Sequence, residues 1–364
     1  MSMLQEMARA IASNPYTKLI PQTVAPQRRG AATGASDARS LANAFASGRL
    51  YGCFAKDATN QPWWARSFAQ YNFDFLKRNQ PDGDSIYMED SKWYAKIKGM
   101  GQGKRVMQNA WGLRLSKKKF GRGSQATGDC VSWSKRFMND LLRARRIVLT
   151  GKFEAWIERG ATCGIYSGRG HTGQGADPVQ LAAWLCEIGT LLEIVYDLTS
   201  SGGKRYDFTN YDDYVNWGIS RGRVGMPDDL LAVTKQAKPL GYKVIQDVNT
   251  VFDVIAAGGA VSTGADWGVQ SSGNPLSSLG PNWSHDMAVC GMDTTREKVN
   301  VDVVAVDQSW GNWNDVTNVP PEWLPLTEGQ FFVSAQNYQR AVSQGGCTAI
   351  FDGEYFGAAI DNAV

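Results

Sequence analysis

Two stretches in the second half of the chain carry apolar residues at the spacing of an amphipathic helix. They are residues 130–146 and residues 177–192. The apolar positions that share one face are Trp133, Phe137, Leu141 and Leu142 in the first stretch and Leu181, Trp184, Leu185 and Ile188 in the second. The spacing therefore predicts a helix over each stretch.

Three shorter apolar runs are typical of strands. They cover residues 260–263, 287–290 and 301–306. The last run is apolar on both faces, which is typical of a strand buried on both sides of a sheet. Helices and strands in this order predict an α+β domain.

The composition changes along the chain and suggests four parts. Residues 1–45 are rich in Ala, Gly and Ser and predict a flexible arm, and residues 46–104 form an aromatic-rich extension. Residues 105–355 carry the α+β pattern, and residues 356–364 form a short tail. We find no internal repeat.

Composition excludes several classes of protein. With 43% hydrophobic and 20% charged residues among 364, the chain has enough apolar material for a sizeable core. A net charge of +3 is too balanced to indicate a nucleic-acid partner. No run reaches the roughly 18 apolar residues that a membrane helix needs, and the N-terminus lacks the pattern of a secretion signal. We therefore expect no nucleic-acid or membrane partner and no secretion.

The cysteines are scattered along the chain. They form no CxxC pair and no zinc-ligand spacing, so we expect free thiols and no metal site. The six positions are Cys53, Cys130, Cys163, Cys186, Cys290 and Cys347.

Cys130 opens the first predicted helix, and Gln125 lies five positions before it. A thiol at a helix N-terminus is at the positive end of the helix dipole, which favours the thiolate. A lone cysteine is more often a small buried core residue. Taken alone, this position indicates either role.

Two later segments add polar groups at the ends of predicted strands. His285, one of two histidines, precedes the strand over 287–290. The strand over 301–306 runs into Asp307, Gln308 and Ser309-Trp310-Gly311. Each segment alone is also compatible with an ordinary strand end. A Cys and a His from different parts of the chain can meet across a cleft as a catalytic pair.

These motifs, in this order, resemble those of papain-like cysteine peptidases. The resemblance covers roughly residues 105–355. It implies a two-lobed α+β fold, with a helical lobe that opens with the Cys130 helix and a β-rich lobe that carries His285 and the Gln-Ser-Trp-Gly turn.

The resemblance also implies roles for individual residues. Cys130 would be the nucleophile, His285 the general base and acid, and Gln125 a donor in the oxyanion hole. Trp310 would shield the histidine, and a glycine-rich loop with Gly173 and Gly175 would line the cleft.

The sequence departs from the family pattern mainly at the residue that orients the histidine, where Gln308 replaces the usual Asn. Because strand side chains alternate, Gln308 and Asp307 lie on opposite faces. If the Ser-Trp-Gly motif matches, Gln308 faces His285 and can accept the imidazole N–H, and Asp307 is the alternative. Gln125 also lies five positions before the cysteine where the family has six, and the usual disulfide cysteine before the nucleophile is missing.

The implied activity is hydrolysis of peptide or amide bonds in a polypeptide substrate through an acyl-enzyme, without a cofactor. An acyl transferase or amidase of the same fold would use the same thiol chemistry. The other alternative is a structural or assembly protein, because residues 1–104 lack the long charged helix of a papain propeptide and could dock onto a larger assembly. Such extensions resemble those of phage virion components with peptidase-like domains, so we expect a cytoplasmic or virion-associated protein.

Overall fold

The structure is a computed structural model. It describes residues 76–77, 80, 83–108, 124–150, 158–170, 173–222, 224–234, 238–270, 276–297, 299–310, 329–353 and 356–357. The predicted arm over 1–45, Cys53 and nearly all of the predicted C-terminal tail lie outside the described residues.

The described part of the chain contains short and long helices separated by strands. The α-helices are α1 (Tyr94–Ile97), α2 (Cys130–Thr150), α3 (Thr162–Tyr166), α4 (Pro178–Ile188), α5 (Tyr211–Arg221), α6 (Asp228–Thr234), α7 (Val248–Ala256) and α8 (Ala335–Ala341). The strands are β1 (Arg105–Val106), β2 (Gly160–Ala161), β3 (Leu191–Leu192), β4 (Val195–Asp197), β5 (Arg205–Asp207), β6 (Gly241–Val244), β7 (Ala260–Asp266), β8 (Val269–Gln270), β9 (Ser278–Leu279), β10 (Ser284–Asp293), β11 (Val303–Asp307), β12 (Gln330–Ser334) and β13 (Cys347–Phe351).

A seven-stranded antiparallel sheet forms one lobe. Its strand order is β12-β11-β10-β7-β13-β6, and β1 pairs with the far half of β10. Helices α2 and α4 pack on one face, and α7 and α8 pack on the other. Both faces are therefore covered, which agrees with the apolar character of the strand predicted over 301–306.

Strand β11 shows how alternation divides the core. Val303 and Ala305 belong to the apolar cluster beneath α2, whereas Val304 and Val306 belong to the cluster beneath α7 and α8. The period of two residues places consecutive side chains on opposite faces. Asp307 therefore continues the face that looks toward α2.

The first predicted helix is confirmed and is longer than expected. It begins at Cys130 and continues to Thr150. Its apolar residues contact the sheet, and Trp133 contacts the helical lobe formed by α3, α5 and α6. Because both sides are covered, polar residues of this helix are buried as well.

The second predicted helix ends earlier than the apolar pattern indicates. The Asp177 carboxylate caps its first turn, and the helix ends at Ile188. Gly189 follows with a φ of +89°, and a Cβ there would lie 2.2 Å from the Thr234 carbonyl oxygen. Leu191 and Leu192 then form β3 and pair with β2, so the prediction was wrong over these last residues.

Residues 83–106 are built onto the sheet lobe. Two backbone hydrogen bonds join this segment to β6. Met88 N donates to Val244 O at 2.8 Å, and Val244 N donates to Ile86 O at 2.8 Å. The Asp253 carboxylate of α7 accepts from Gly99 N at 2.9 Å and from Gly101 N at 2.8 Å. Part of the aromatic-rich extension thus shares the core of this lobe.

The molecule is a two-lobed α+β protein, as the resemblance implies. In the part of the chain that the structure describes, no helix is long and apolar enough to span a bilayer. The five described cysteines are free thiols. Within the same residues, no three His, Cys, Asp or Glu side chains gather as a metal site would require.

Candidate active site

Cys130 is the first residue of α2, and its side chain is fully buried. The Asp129 carbonyl accepts from Ser132 N at 2.8 Å and from Trp133 N at 3.0 Å, which closes the first turn of the helix. The thiol therefore lies at the positive end of a helix of 21 residues. This position is the one that the sequence predicts.

His285 lies near the start of β10 with its side chain fully buried. Its ring stacks on Trp310, with centroids 4.1 Å apart and planes 30° apart. Trp283 lies on another side at 6.0 Å, and Trp267 Nε1 donates to the His285 carbonyl oxygen at 2.9 Å. Three tryptophans thus surround this residue, of which sequence analysis singled out Trp310 alone.

The imidazole of His285 is strongly desolvated. Among the described residues, neither of its ring nitrogens has a hydrogen-bond partner. Burial lowers its pKa to about 3, because the charged form loses its hydration. While the ring is fully buried in this way, which we call the closed site, His285 is neutral at pH 7.

The segment that carries Trp310 is bonded to the turn before Cys130. Gln125 N donates to Ser309 O at 2.8 Å, and Ser309 Oγ donates to Gln125 Oε1 at 2.6 Å. A backbone bridge also pairs Ser124 with Trp310. The structure therefore brings together the three motifs that the sequence analysis identified far apart along the chain.

Gln125 is held in a defined orientation by these contacts. Its Oε1 is occupied by Ser309, and its Nε2 donates to the Thr127 carbonyl at 2.9 Å. These two bonds fix the plane of the side-chain amide beside the turn before Cys130.

The two candidates for orienting His285 have different surroundings. Asp307 Oδ2 accepts from Gln330 Nε2 at 2.7 Å, and burial raises the pKa of this carboxyl to about 6. Gln308 Oε1 accepts from the Trp310 backbone N–H. Since the imidazole nitrogens have no partner among the described residues, the orienting role of Gln308 stays a prediction, with Asp307 as its alternative.

The glycine-rich loop reaches the turn before the cysteine. Gly175 has a φ of +78° and donates its N–H to Gly128 O at 2.9 Å. A Cβ on Gly128 would lie 3.0 Å from the Gln174 side chain, so the two loops approach closely. Gly173 lies further along, where its carbonyl accepts from Arg169 Nε at 2.9 Å.

Sequence analysis missed the buried carboxyl beside the nucleophile. Asp129 accepts from the Tyr211 hydroxyl at 3.1 Å, and this hydroxyl accepts from Ala126 N at 3.0 Å. Burial raises the pKa of Asp129 to about 7, against the opposing effect of the Tyr211 hydrogen bond. Tyr211 comes from α5, and nothing in the local sequence around Asp129 indicates this partner.

The arrangement contains the parts of a thiol acyl-transfer site. A thiol lies at a helix N-terminus, an imidazole lies on a strand of the sheet against which that helix packs, and an oriented amide lies in the turn before the thiol. Thiolate attack, proton transfer and oxyanion stabilisation each need one of these groups.

The chain is similar to several solved protease structures. Xylellain, a cysteine protease from Xylella fastidiosa, has a TM-score of 0.41 and 16% sequence identity, covering 62% of this chain and 80% of its own. Procathepsin L2 proteinase from Tenebrio molitor larval midgut has a TM-score of 0.42 and 11% identity, covering 96% of this chain and 100% of its own. The Carica candamarcensis cysteine protease CMS1MS2 has a TM-score of 0.39 and 12% identity, covering 68% of this chain and 98% of its own. No protein-family model and no curated protein sequence matches this chain.

Proposed function

We propose that this protein is a thiol hydrolase that cleaves peptide or amide bonds, with Cys130 as nucleophile and His285 as general base and acid. The observation that carries the proposal is the hydrogen bonding of Gln125 to Ser309, one residue before the Trp310 ring that stacks on His285. These contacts hold the turn before Cys130 against the segment beside the imidazole.

The proposed reaction proceeds in two acyl-transfer steps. His285 takes the proton of the Cys130 thiol, and the sulfur forms a bond to the substrate carbonyl carbon while the carbonyl oxygen takes the negative charge. The Cys130 backbone N–H and the Gln125 side-chain N–H stabilise this oxyanion. As the oxyanion collapses, the bond between the carbonyl carbon and the leaving nitrogen breaks, and His285 gives its proton to the leaving amine. A water molecule then attacks the thioester carbon while His285 takes a proton from it, and the bond to the Cys130 sulfur breaks to release the acid, with the His285 proton returning to the thiol.

Access to the site requires side chains to move, because Cys130 and His285 are both 0% exposed. Opening would hydrate the imidazole and bring its pKa back toward its ordinary value of 6.5. Proton transfer by His285 is therefore coupled to opening in this proposal.

A second candidate function is a structural or assembly protein without catalysis. One observation favours it: the buried imidazole has no hydrogen-bond partner among the described residues and a pKa of about 3. Docking of residues 1–104 onto a larger assembly belongs to this candidate and stays a prediction. An amidase would use the same thiol chemistry on a different amide, and an acyl transferase would pass the acyl group to an acceptor other than water.

Brief iodoacetamide treatment at pH 6, followed by peptide mass spectrometry, distinguishes the two functions. Cys186 is the internal control, because it is half-buried whereas Cys130 is fully buried, and burial raises the pKa of both Cys186 and Cys163. If Cys130 is activated as a nucleophile, it is alkylated before Cys186, and His285→Ala removes that advantage.

Reaction of Cys186 first, or equal labelling of all thiols, would contradict the proposal. If Cys130 reacts first, a panel of peptide, amide and amine-acceptor substrates then identifies the reaction. Cys130→Ser is the inactive control, and Cys290→Ser is a matched buried cysteine substitution outside the site.

A further inference from the structure

Lys135 is a fully buried lysine on the helix that begins at Cys130. Its Nζ donates to Ser262 Oγ at 2.5 Å and to Thr348 Oγ1 at 2.6 Å. Asp286 Oδ2 lies 3.7 Å from the same nitrogen, and the exposed fraction of both charged side chains is 0%. Lysine and aspartate are almost never fully buried unless they are paired.

The three partners of Lys135 lie on three adjacent strands. Thr348 is on β13, Ser262 is on β7 and Asp286 is on β10. Ser262 and Thr348 are direct register partners. A single ammonium group therefore holds α2 against the centre of the sheet.

Asp286 directly follows His285 on β10, and Lys135 lies five positions after Cys130 on α2. The ion pair thus joins the helix that carries the proposed nucleophile to the strand that carries the proposed base. Because Asp286 and His285 are consecutive, fixing the Asp286 side chain restricts the backbone of β10 at His285, although the two side chains project from opposite faces of the strand.

Several titratable groups face Lys135. They are Asp286 from β10, Cys347 from β13, Asp177 from the residue before α4 and Cys130 from its own helix. Burial lowers the pKa of Lys135 and raises that of Asp286, and the attraction between the two opposes both changes. Cys130 lies five residues before Lys135 on the same helix, about 7.5 Å along its axis, so an ammonium at Lys135 favours the Cys130 thiolate.

We propose that Lys135 and Asp286 are a positioning pair, which fixes Cys130 relative to His285 across the boundary between helix and sheet and supplies positive charge to the Cys130 thiolate. This inference rests on the proposed function of Cys130 and His285.

Stability alone does not account for this pair. Replacing a buried ion pair by apolar residues of similar size is often neutral or stabilising, because desolvation of two charges offsets their attraction. A charged pair at the junction of the two motif-bearing elements is therefore better explained by positioning and charge than by packing.

Lys135→Met tests the proposal, because it keeps most of the length of the side chain and removes its charge. The readout is the rate of Cys130 alkylation by iodoacetamide across the pH range, resolved by mass spectrometry. The midpoint of this profile reports thiolate formation, whereas accessibility scales the whole profile. We expect the midpoint to rise by about one pH unit, which lowers the rate at pH 6 about tenfold.

Arg146→Met is the matched control. Arg146 pairs with Asp352 at 2.7 Å and also joins α2 to the sheet lobe, but from the far end of the helix. Its substitution removes a helix-to-sheet ion pair without removing charge near Cys130. We expect the midpoint of the alkylation profile to stay unchanged.

Thr348→Val keeps the proposal testable if Lys135→Met fails to fold. It preserves shape and removes one acceptor from the ammonium. We expect a shift in the same direction, with the rate at pH 6 lowered about two- to threefold. An unchanged midpoint in the folded variants, with wild-type Cys130 still reacting first, would overturn this inference alone. Wild-type Cys130 that reacts no faster than Cys186 would overturn the proposed function as well.

Discussion

The Trp310 ring lies against the His285 imidazole with their centroids 4.1 Å apart. The Trp283 ring lies 5.0 Å from Trp310, so the two indoles form one aromatic cover over the imidazole. This cover excludes water and accounts for the low pKa of His285, about 3, because desolvation penalises the imidazolium. The aromatic stack thus sets the pH at which the proposed base, His285, takes up a proton.

Trp310→Ala is expected to return His285 to ordinary titration. Proton NMR of the two histidines, with His285→Ala for assignment, follows the ring signals against pH. In the wild-type protein we expect no titration of His285 above pH 5, and in Trp310→Ala we expect a midpoint near 6.5. Trp310→Phe keeps an aromatic ring over the imidazole and is the matched control. A wild-type His285 that titrates near pH 6.5 would contradict a desolvated site.

The orienting residue is tested by substitution at Gln308 and Asp307. If Gln308 accepts from the imidazole in the opened site, Gln308→Ala lowers kcat about tenfold or more with a smaller change in KM, because the ring loses its orientation. Gln308→Asn restores the residue that the family usually has and is expected to retain activity. Asp307→Ala breaks the bond to Gln330, so its main effect is on the free energy of unfolding.

The reverse order, with Asp307→Ala abolishing turnover and Gln308→Ala neutral, would show that Asp307 is the third member. Steady-state kinetics on a peptide substrate, with unfolding midpoints measured in urea, separate the two effects.

The sequence predicts the elements whose packing follows a simple period. Trp133, Phe137 and Leu141 recur every four residues, and the helix over them forms as expected. The strand after residue 301 is apolar on both faces, and β11 is covered on both sides. The order of the Cys130, His285 and Ser309-Trp310 motifs also predicts which segments meet.

Contacts between distant polar residues are not predictable in this way. Lys135 falls among charged residues of an amphipathic pattern, and its burial depends on Ser262 and Thr348 from strands that follow more than a hundred residues later. The local sequence around Asp129 is that of an ordinary loop residue, and its burial depends on the contact with Tyr211. The helix end at Ile188 depends on the close approach of Gly189 to Thr234. In each case a tertiary contact determines the outcome, and local propensity does not encode it.

Asp129 is expected to make stability fall as pH rises. Its pKa is about 7 in the folded protein against an ordinary value of 3.8, so the folded state keeps a proton that the unfolded state has lost. This contribution is fully present below about pH 4 and is lost as pH rises through about 7.

Asp129→Asn removes that dependence. Relative to wild type, its free energy of unfolding should improve by about 3 kcal/mol between pH 5 and pH 8, as an upper bound from the two pH units between pH 5 and the folded-state pKa of about 7. Urea denaturation at both pH values measures the difference. Asp228→Asn, at an exposed carboxylate, is the control for the loss of one negative charge. An equal effect of Asp129→Asn at both pH values would rule out a titrating buried carboxyl.

Truncation separates the predicted arm from the part of the extension that packs on the sheet. Met88 and Ile97 are fully buried in the cluster beneath α7 and α8, so removal of residues 1–104 leaves a cavity in that core. Losing large apolar side chains typically costs about 2–5 kcal/mol each, so this deletion is expected to unfold or aggregate the chain.

Removal of residues 1–45 should leave both the urea midpoint and the alkylation of Cys130 unchanged. If the arm serves docking, the shorter deletion impairs incorporation into the protein's native assembly, as measured by co-sedimentation. Normal co-sedimentation of the 1–45 deletion, with Cys130 still reactive, would refute docking by the arm and leave the hydrolase proposal intact.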